Sequence, residues 1–263
     1  MGGTMKSNLY YFSATGNTKF AADKLQEQFK KYGKDLELIN IENVDKVDLT
    51  DCEYLIIGTP VHSEMPPRII TDFINNLPEG NSKLKCMVYS TQGANGTAAV
   101  EFLKRILNKK GYEVLIQTCF RMANNYYFGF GVERTDEEIA AYSRKVEEKA
   151  KLIVQKLLKD ERHKEGALGI RVFIGKVMAN GFHRMLPKLS SVLTSTEQCM
   201  KCGLCLRNCP KNNITIEEGH ATFHSQCIMC TRCIHICPVN AIRYKGKKIT
   251  QNQKSLIKYL ELK

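Results

Sequence analysis

Along the first half of the chain, short apolar runs alternate with longer amphipathic stretches. LYYF, from Leu9 to Phe12, is followed by the polar turn Ser13-Ala14-Thr15-Gly16-Asn17-Thr18. Beyond it Phe20, Ala21, Leu25 and Phe29 recur at helical spacing, so a strand, a loop and a helix are expected in that order. LELINI (Leu36 to Ile41) predicts a second strand and YLIIGTP (Tyr54 to Pro60) a third. The third run is apolar without alternation, the pattern of a strand covered on both faces of a parallel sheet. A helix over Pro67 to Leu77 with proline in its first turn, a strand over Cys86 to Thr91, a helix over Thr97 to Lys110 and a strand over Tyr112 to Phe120 continue the series. A long helix follows from about Thr135 to Lys159, with Asp136, Glu137 and Glu138 where the helix dipole favours acids. Five strands with intervening helices predict an α/β doubly wound parallel sheet over residues 1–160.

The pattern changes after Glu161. IRVFIGKVMANGFHRMLPKL mixes apolar and basic residues at loosely helical spacing, which predicts a basic helical connector over residues 161–195. Two roles stay open for it: packing between domains, or docking on a membrane or partner surface. Residues 196–245 read as a small α+β domain built from a duplicated cysteine run, and residues 246–263 as a basic tail in which SLIKYLEL forms a terminal helix.

Composition sharpens this reading. Of the 11 cysteines, only Cys52, Cys86 and Cys119 precede residue 199, and these are expected to be small buried hydrophobes. The other eight crowd between Cys199 and Cys237. No apolar run approaches the roughly 18 residues of a membrane span, and MGGTMKSNLYYF lacks the features of a secretory leader. A cytoplasmic protein without disulfides is expected, so metal ligation accounts for the cysteines. A net charge of +12 points to an anionic surface or acidic protein partners; the aromatic–basic repetition of a nucleic-acid module is absent, and no nucleic-acid partner is expected.

The two runs are Cys199-Met-Lys-Cys202-Gly-Leu-Cys205-Leu-Arg-Asn-Cys209-Pro210 and Cys227-Ile-Met-Cys230-Thr-Arg-Cys233-Ile-His-Ile-Cys237-Pro238. Both follow C-x2-C-x2-C-x3-C-P, the run that binds [4Fe–4S] cubanes. Three cysteines at intervals of three curl around one cubane, and the fourth, turned away by proline, reaches the other. One cluster is therefore assigned to Cys199, Cys202, Cys205 and Cys237, the second to Cys227, Cys230, Cys233 and Cys209. A zinc ribbon needs paired cysteines and would leave thiolates over. Small residues such as Gly203 are expected to let backbone N–H groups approach the sulfurs.

The loop Ser13 to Thr18 opens a helix, where unpaired N–H groups and the dipole attract an anion. It has neither the lysine of a P-loop nor a GxGxxG. Its neutral hydroxyls suit a single phosphate monoester such as that of FMN. In a doubly wound sheet further contacts come from the loops after neighbouring strands, here Thr59-Pro60-Val61-His62 and Thr91-Gln92-Gly93-Ala94-Asn95-Gly96. His62 is read either as a flavin-flanking side chain or as a solvent-exposed loop residue. Asn124, Asn125, Tyr126 and Tyr127 either close the pocket or pack the loop.

YYFSATGNT, from Tyr10 to Thr18, resembles the flavodoxin phosphate-loop motif, and Thr196 to Arg243 resembles a bacterial two-cluster ferredoxin. In that order the chain is similar to flavodoxin–ferredoxin fusion proteins of anaerobes. The resemblance implies strand order 2-1-3-4-5, FMN held at Ser13 to Thr18, and two [4Fe–4S] clusters on the eight cysteines. The reading is an electron-transfer protein that relays electrons between the clusters and FMN, and the basic charge points to redox proteins such as acidic ferredoxins or flavodoxins as partners. Two other readings stay open: an FMN-dependent reductase of a small molecule fed by its own clusters, and a sensor whose clusters report redox state.

Overall fold

The computed structural model describes residues 6–80, 84–94, 98–167 and 169–263. Asn95, Gly96 and the expected helix start at Thr97 lie outside them. The chain folds as two compact units. One comprises Met1–Ser13, Asn17–Ala123 and Glu137–Ala179; the other comprises Ala14–Gly16, Asn124–Asp136 and Asn180–Lys263.

The first unit is built on β1 (Lys6–Tyr11), α1 (Asn17–Lys31), β2 (Leu36–Asn40), β3 (Cys52–Pro60), α2 (Arg68–Asn75), β4 (Lys85–Gln92), α3 (Ala99–Lys109), β5 (Glu113–Arg121), α4 (Asp136–Leu158) and β6 (His163–Lys164). The strands form one sheet in the order β2-β1-β3-β4-β5-β6, and every pairing is parallel. Leu55, Ile56 and Ile57 of β3 and Met87, Val88 and Tyr89 of β4 are fully buried, as strands covered on both faces require. Gly58 lies opposite Tyr89 in the β3–β4 register, and a Cβ there would stand 2.3 Å from the Tyr89 ring. That missing side chain gives the ring its space, and the Tyr89 hydroxyl donates 2.9 Å to the carbonyl of Thr18.

The sheet has six strands where the sequence predicts five. The sixth, His163–Lys164, lies in the stretch read as connector, and at two residues it is too short to show a period. Glu165 fixes it. Its amide donates to Gln117 O (2.9 Å), and its Oε2 accepts from Thr118 Oγ1 (3.0 Å), the Cys119 amide (2.9 Å) and Lys149 Nζ (2.5 Å). Its Oε1 lies 2.9 Å from His163 Nε2. Here the chain passes the edge of the sheet. α4 belongs to the layer of α1 through Lys24–Glu147 (3.3 Å), whereas the next helix, α5 (Gly169–Ser190), starts against Met65 and Ala98 in the layer of α2 and α3.

The second unit contains the end of α5, β7 (Leu193–Ser195), α6 (Leu204–Arg207), β8 (Ile214–Glu217), β9 (His220–Phe223), α7 (Arg232–Ile236), β10 (Ile242–Tyr244), β11 (Lys247–Lys248) and α8 (Lys254–Ile257). β11-β10-β7 is a small antiparallel sheet and β8-β9 a hairpin. Its core gathers Leu193, Met229, Ile234, Ile242, Tyr244 and Ile249. The terminal helix expected over SLIKYLEL is a single turn.

Burial alone would push the Glu165 carboxyl up, but hydrogen bonds from Lys149, the Cys119 amide and His163, with the Lys149 charge, hold it at about 2 against an ordinary 4.5. A carboxyl depressed on folding contributes stability that is present above its ordinary value and lost as pH falls toward the folded one. Glu165→Gln is therefore expected to cost about 1–3 kcal/mol near neutrality. Urea unfolding of both proteins should show that difference shrink below about pH 4; a gap that stays constant with pH would contradict the role assigned to the carboxylate.

Candidate functional site

Three loops converge at the carboxyl ends of β1, β3 and β4. Ser13 Oγ accepts from the Lys19 amide (3.2 Å) at the start of α1. Thr18 and Thr91, both buried, share a hydrogen bond between hydroxyls 2.8 Å apart. Val61 N donates to Thr91 O (3.2 Å), and the Phe12 amide donates to Gly58 O (3.3 Å). Thr59 Oγ1 donates to Pro60 O (2.8 Å), and Gln92 Nε2 to Ala94 O (2.8 Å), beside the exposed Gly93. Asn17 Nδ2 donates to Ala123 O (3.1 Å) while its Oδ1 is buried without a partner. His62 opens a tight turn: its amide donates to Met65 O (2.8 Å), its carbonyl accepts from Met65 N (3.2 Å), and Ser63 and Glu64 are left-handed. The structure thus brings together Ser13, Asn17, Thr18, Thr59 to His62, and Thr91 to Gly93.

The middle of the phosphate-type loop has different neighbours. Ala14, Thr15 and Gly16 belong to the second unit. There the Ala14 carbonyl accepts from Arg232 Nε (2.9 Å), and Thr15 Oγ1 accepts from Asn125 Nδ2 (3.0 Å). Gly16, at φ +99°, backs onto the tail: a Cβ there would lie 2.0 Å from Leu256 O. As an acceptor, Thr15 keeps its own proton to donate, which suits an anion. Asn125, a residue the sequence left between pocket and packing, therefore ties the loop tripeptide, and Tyr126 joins Tyr244 hydroxyl to hydroxyl (3.0 Å).

The eight clustered cysteines fall into two quartets. Burial first, then the charges of Cys237, Cys199 and Cys202 in that order, pushes the Cys205 thiol up to about 11. Burial likewise raises Cys230 to about 12, with Cys227 and Cys209 adding to it against the opposing Arg232 charge. Cys209, Cys227, Cys230 and Cys233 line one cavity together with Met229 and Arg232. Each quartet takes three cysteines from one run and the fourth from the other. Among the described residues no three His, Cys, Asp or Glu side chains converge on a single-ion position. A cubane asks for something different, one thiolate for each of four irons.

The duplication is visible in the backbone. Lys201 and Met229 are left-handed (φ 56° and 51°), as are Gly203 and Thr231 (71° and 61°), and Asn212 and Asn240 (49° and 48°). Each pair occupies the same place relative to its run. Asn213 N donates to Cys209 Sγ and Ala241 N to Cys237 Sγ, each at 3.3 Å, and Met229 N lies 3.3 Å from Cys227 Sγ. These amide–sulfur bonds come from residues two and four positions after a cysteine.

Sequence reasoning missed Arg232 and His235. Arg232 is buried and also donates to Asn208 O (2.9 Å), so a guanidinium stands within the second quartet's surroundings. His235 is buried with Nε2 on Asn125 O (2.9 Å); burial, against that bond, lowers it to about 4 and keeps it neutral. Only the position of both residues inside the second run hinted at them. In the first unit, a cavity of about 570 Å³ lies between β5 and α4 and is lined by Gln92, Arg121, Tyr142, Lys145 and Lys149 with Glu165.

Residues 8–123 match the family model for the flavodoxin domain, and residues 198–241 match that for the 4Fe-4S dicluster domain. Among solved structures the chain is similar to rubredoxin oxygen:oxidoreductase from the anaerobe Desulfovibrio gigas, at 16% identity and TM-score 0.43, over 59% of this chain and 36% of that one. It is similar to a flavodoxin from the domain Archaea (16%, TM-score 0.40, 59% of this chain and 99% of that one). Oxidised flavodoxin 1 from Bacillus cereus gives 17% and 0.43, over 59% and 97%. No curated protein matches the chain.

Gly16→Ala is expected to destabilise the protein by about 2–4 kcal/mol, since it adds both a left-handed strain and a clash with backbone. Thermal melts of the purified variant measure this, and a midpoint equal to that of the unaltered protein would refute the close packing against Leu256.

Proposed function

From a chain that carries a flavodoxin domain followed by a 4Fe–4S dicluster domain, we propose an electron-transfer protein that passes electrons between two [4Fe–4S] clusters and FMN. When bound, the clusters supply one-electron exchange and FMN exchange of one or two electrons, which lets single-electron carriers serve a two-electron acceptor. The observation that carries the reading is the pair of crossed quartets. Cys199, Cys202, Cys205 and Cys237 would hold one cluster, and Cys227, Cys230, Cys233 and Cys209 the other. Burial makes Cys205, Cys227, Cys230 and Cys233 resist ionisation, so assembly would release protons as thiolates form. The amides of Asn213, Met229 and Ala241 then stabilise charge on sulfur, and the Arg232 guanidinium adds a fixed positive charge beside the second quartet.

For FMN, Ser13 to Thr18 would hold the phosphate, and Thr59 to His62 with Thr91 to Gly93 would border the ring. The fit rests on the start of α1, whose first amides lack intrahelical partners, and on the hydroxyls of Ser13, Thr15 and Thr18. These donors would orient a bound anion.

A net charge of +12 favours acidic redox proteins as donors or acceptors, because complementary charge raises encounter rates and screening lowers them.

Anaerobically prepared protein is expected to contain about eight iron atoms and one flavin. Crossing makes a specific demand on variants. Cys202→Ala with Cys237→Ala should leave about four irons, whereas Cys202→Ala with Cys209→Ala should leave almost none. The opposite pattern would mean that each run holds its own cluster. Stopped-flow electron exchange with an acidic ferredoxin should slow about tenfold or more between low and moderate salt; a rate indifferent to salt removes the charge argument.

A further inference from the structure

α5 is apolar on two opposite faces. One face is consumed within the protein: Val172 and Ala179 are buried with Met65 and Ala98, and farther along Phe182, Leu186 and Leu189 pack against the core of the second unit. Among the described residues the other face is left exposed. Ile170, Phe173, Ile174, Val177, Met178 and Met185 are all exposed, Ile170 by 75% and Phe173 by 69%. They recur at i, i+3, i+4, i+7, i+8 and i+15, a single stripe about 22 Å long at the helical rise. Scattered exposed apolar residues need no explanation, but a contiguous stripe of large ones marks an interaction surface.

Charge identifies what the stripe meets. Gly169–Ser190 contains Arg171, Lys176, Arg184 and Lys188 and no Asp or Glu. Arg171 is engaged by Glu64 (2.9 Å) and the Lys176 ammonium lies over the Phe102 ring (5.1 Å), while Arg184 and Lys188 are exposed farther along the helix. Two copies meeting through this stripe would face cation to cation within a chain of net charge +12. An anionic lipid surface accepts both features: aliphatic and aromatic side chains enter the headgroup boundary, and lysine and arginine stems reach up to lipid phosphates. No described helix is long and apolar enough to cross a membrane, so the contact is peripheral. We infer that the exposed face of α5 docks the protein parallel to the surface of an anionic bilayer.

Flotation of the full, cofactor-loaded chain with phosphatidylcholine vesicles, with and without about one-third phosphatidylglycerol, tests this. About tenfold more protein is expected on the anionic vesicles, falling as salt rises. Phe173→Asp with Val177→Asp should reduce binding to the neutral-vesicle level, and Arg184→Glu with Lys188→Glu should weaken it. These side chains are exposed, so an unchanged iron content and melting midpoint check the fold. The chain has no tryptophan, so Phe173→Trp places a single indole on the stripe, and its emission should move to shorter wavelength only with anionic vesicles. Wild-type protein that stays in the soluble fraction, an Asp variant that still floats, or a stripe-dependent dimer without vesicle binding would each overturn the inference.

Discussion

A thiolate buried in protein is costly unless something answers its charge, and the second unit is arranged around that requirement. Burial lifts the thiols of Cys205, Cys227, Cys230 and Cys233 above their ordinary range, so their ionised form would depend on iron and on amides aimed at sulfur. Left-handed residues at matched places turn those amides inward. Because Cys209 stands with the three leading cysteines of the second run, a cluster held there would tie the two repeats to each other. Such ligation would stand in for the larger apolar core that so small a domain lacks.

The first unit meets an opposite demand, the gathering of neutral donors. Its parallel strands end together, so the loops after β1, β3 and β4 bring hydroxyls, amides and a helix start to one edge of the sheet. Buried contacts such as Thr18 to Thr91 and Tyr89 to Thr18 hold those loops in register. The hydroxyls are thus set in position by the core beneath them.

The readable parts of this molecule are those set by local spacing. Strand runs such as Tyr54 to Pro60 and the two cysteine runs carry their structure in a few adjacent residues. What the sequence concealed depends on distant partners or on signals that cancel. β6 is two residues long and is fixed by Glu165, whose ligands come from β5 and α4. The division of Ser13 to Thr18, with Ala14 to Gly16 answering to Arg232, Asn125 and Leu256, joins positions more than a hundred residues apart. α5 looked only loosely helical because apolar residues on two opposite faces erase the one-sided pattern by which helices are recognised.

Identical spacing in the two runs does not make identical surroundings. Cys202 is exposed to solvent, whereas Cys230 is buried beside the guanidinium of Arg232. The left-handed position that opens α6 is a glycine, at ease there, and the matching one that opens α7 is the β-branched Thr231, which is not. Around Cys202 solvent is at hand to answer an added charge, whereas around the buried Cys230 that task falls to the guanidinium of Arg232, with Lys211 lining the same cavity. A duplicated sequence has thus been folded into two dielectric environments, and the two halves differ in how readily each accommodates a change of charge.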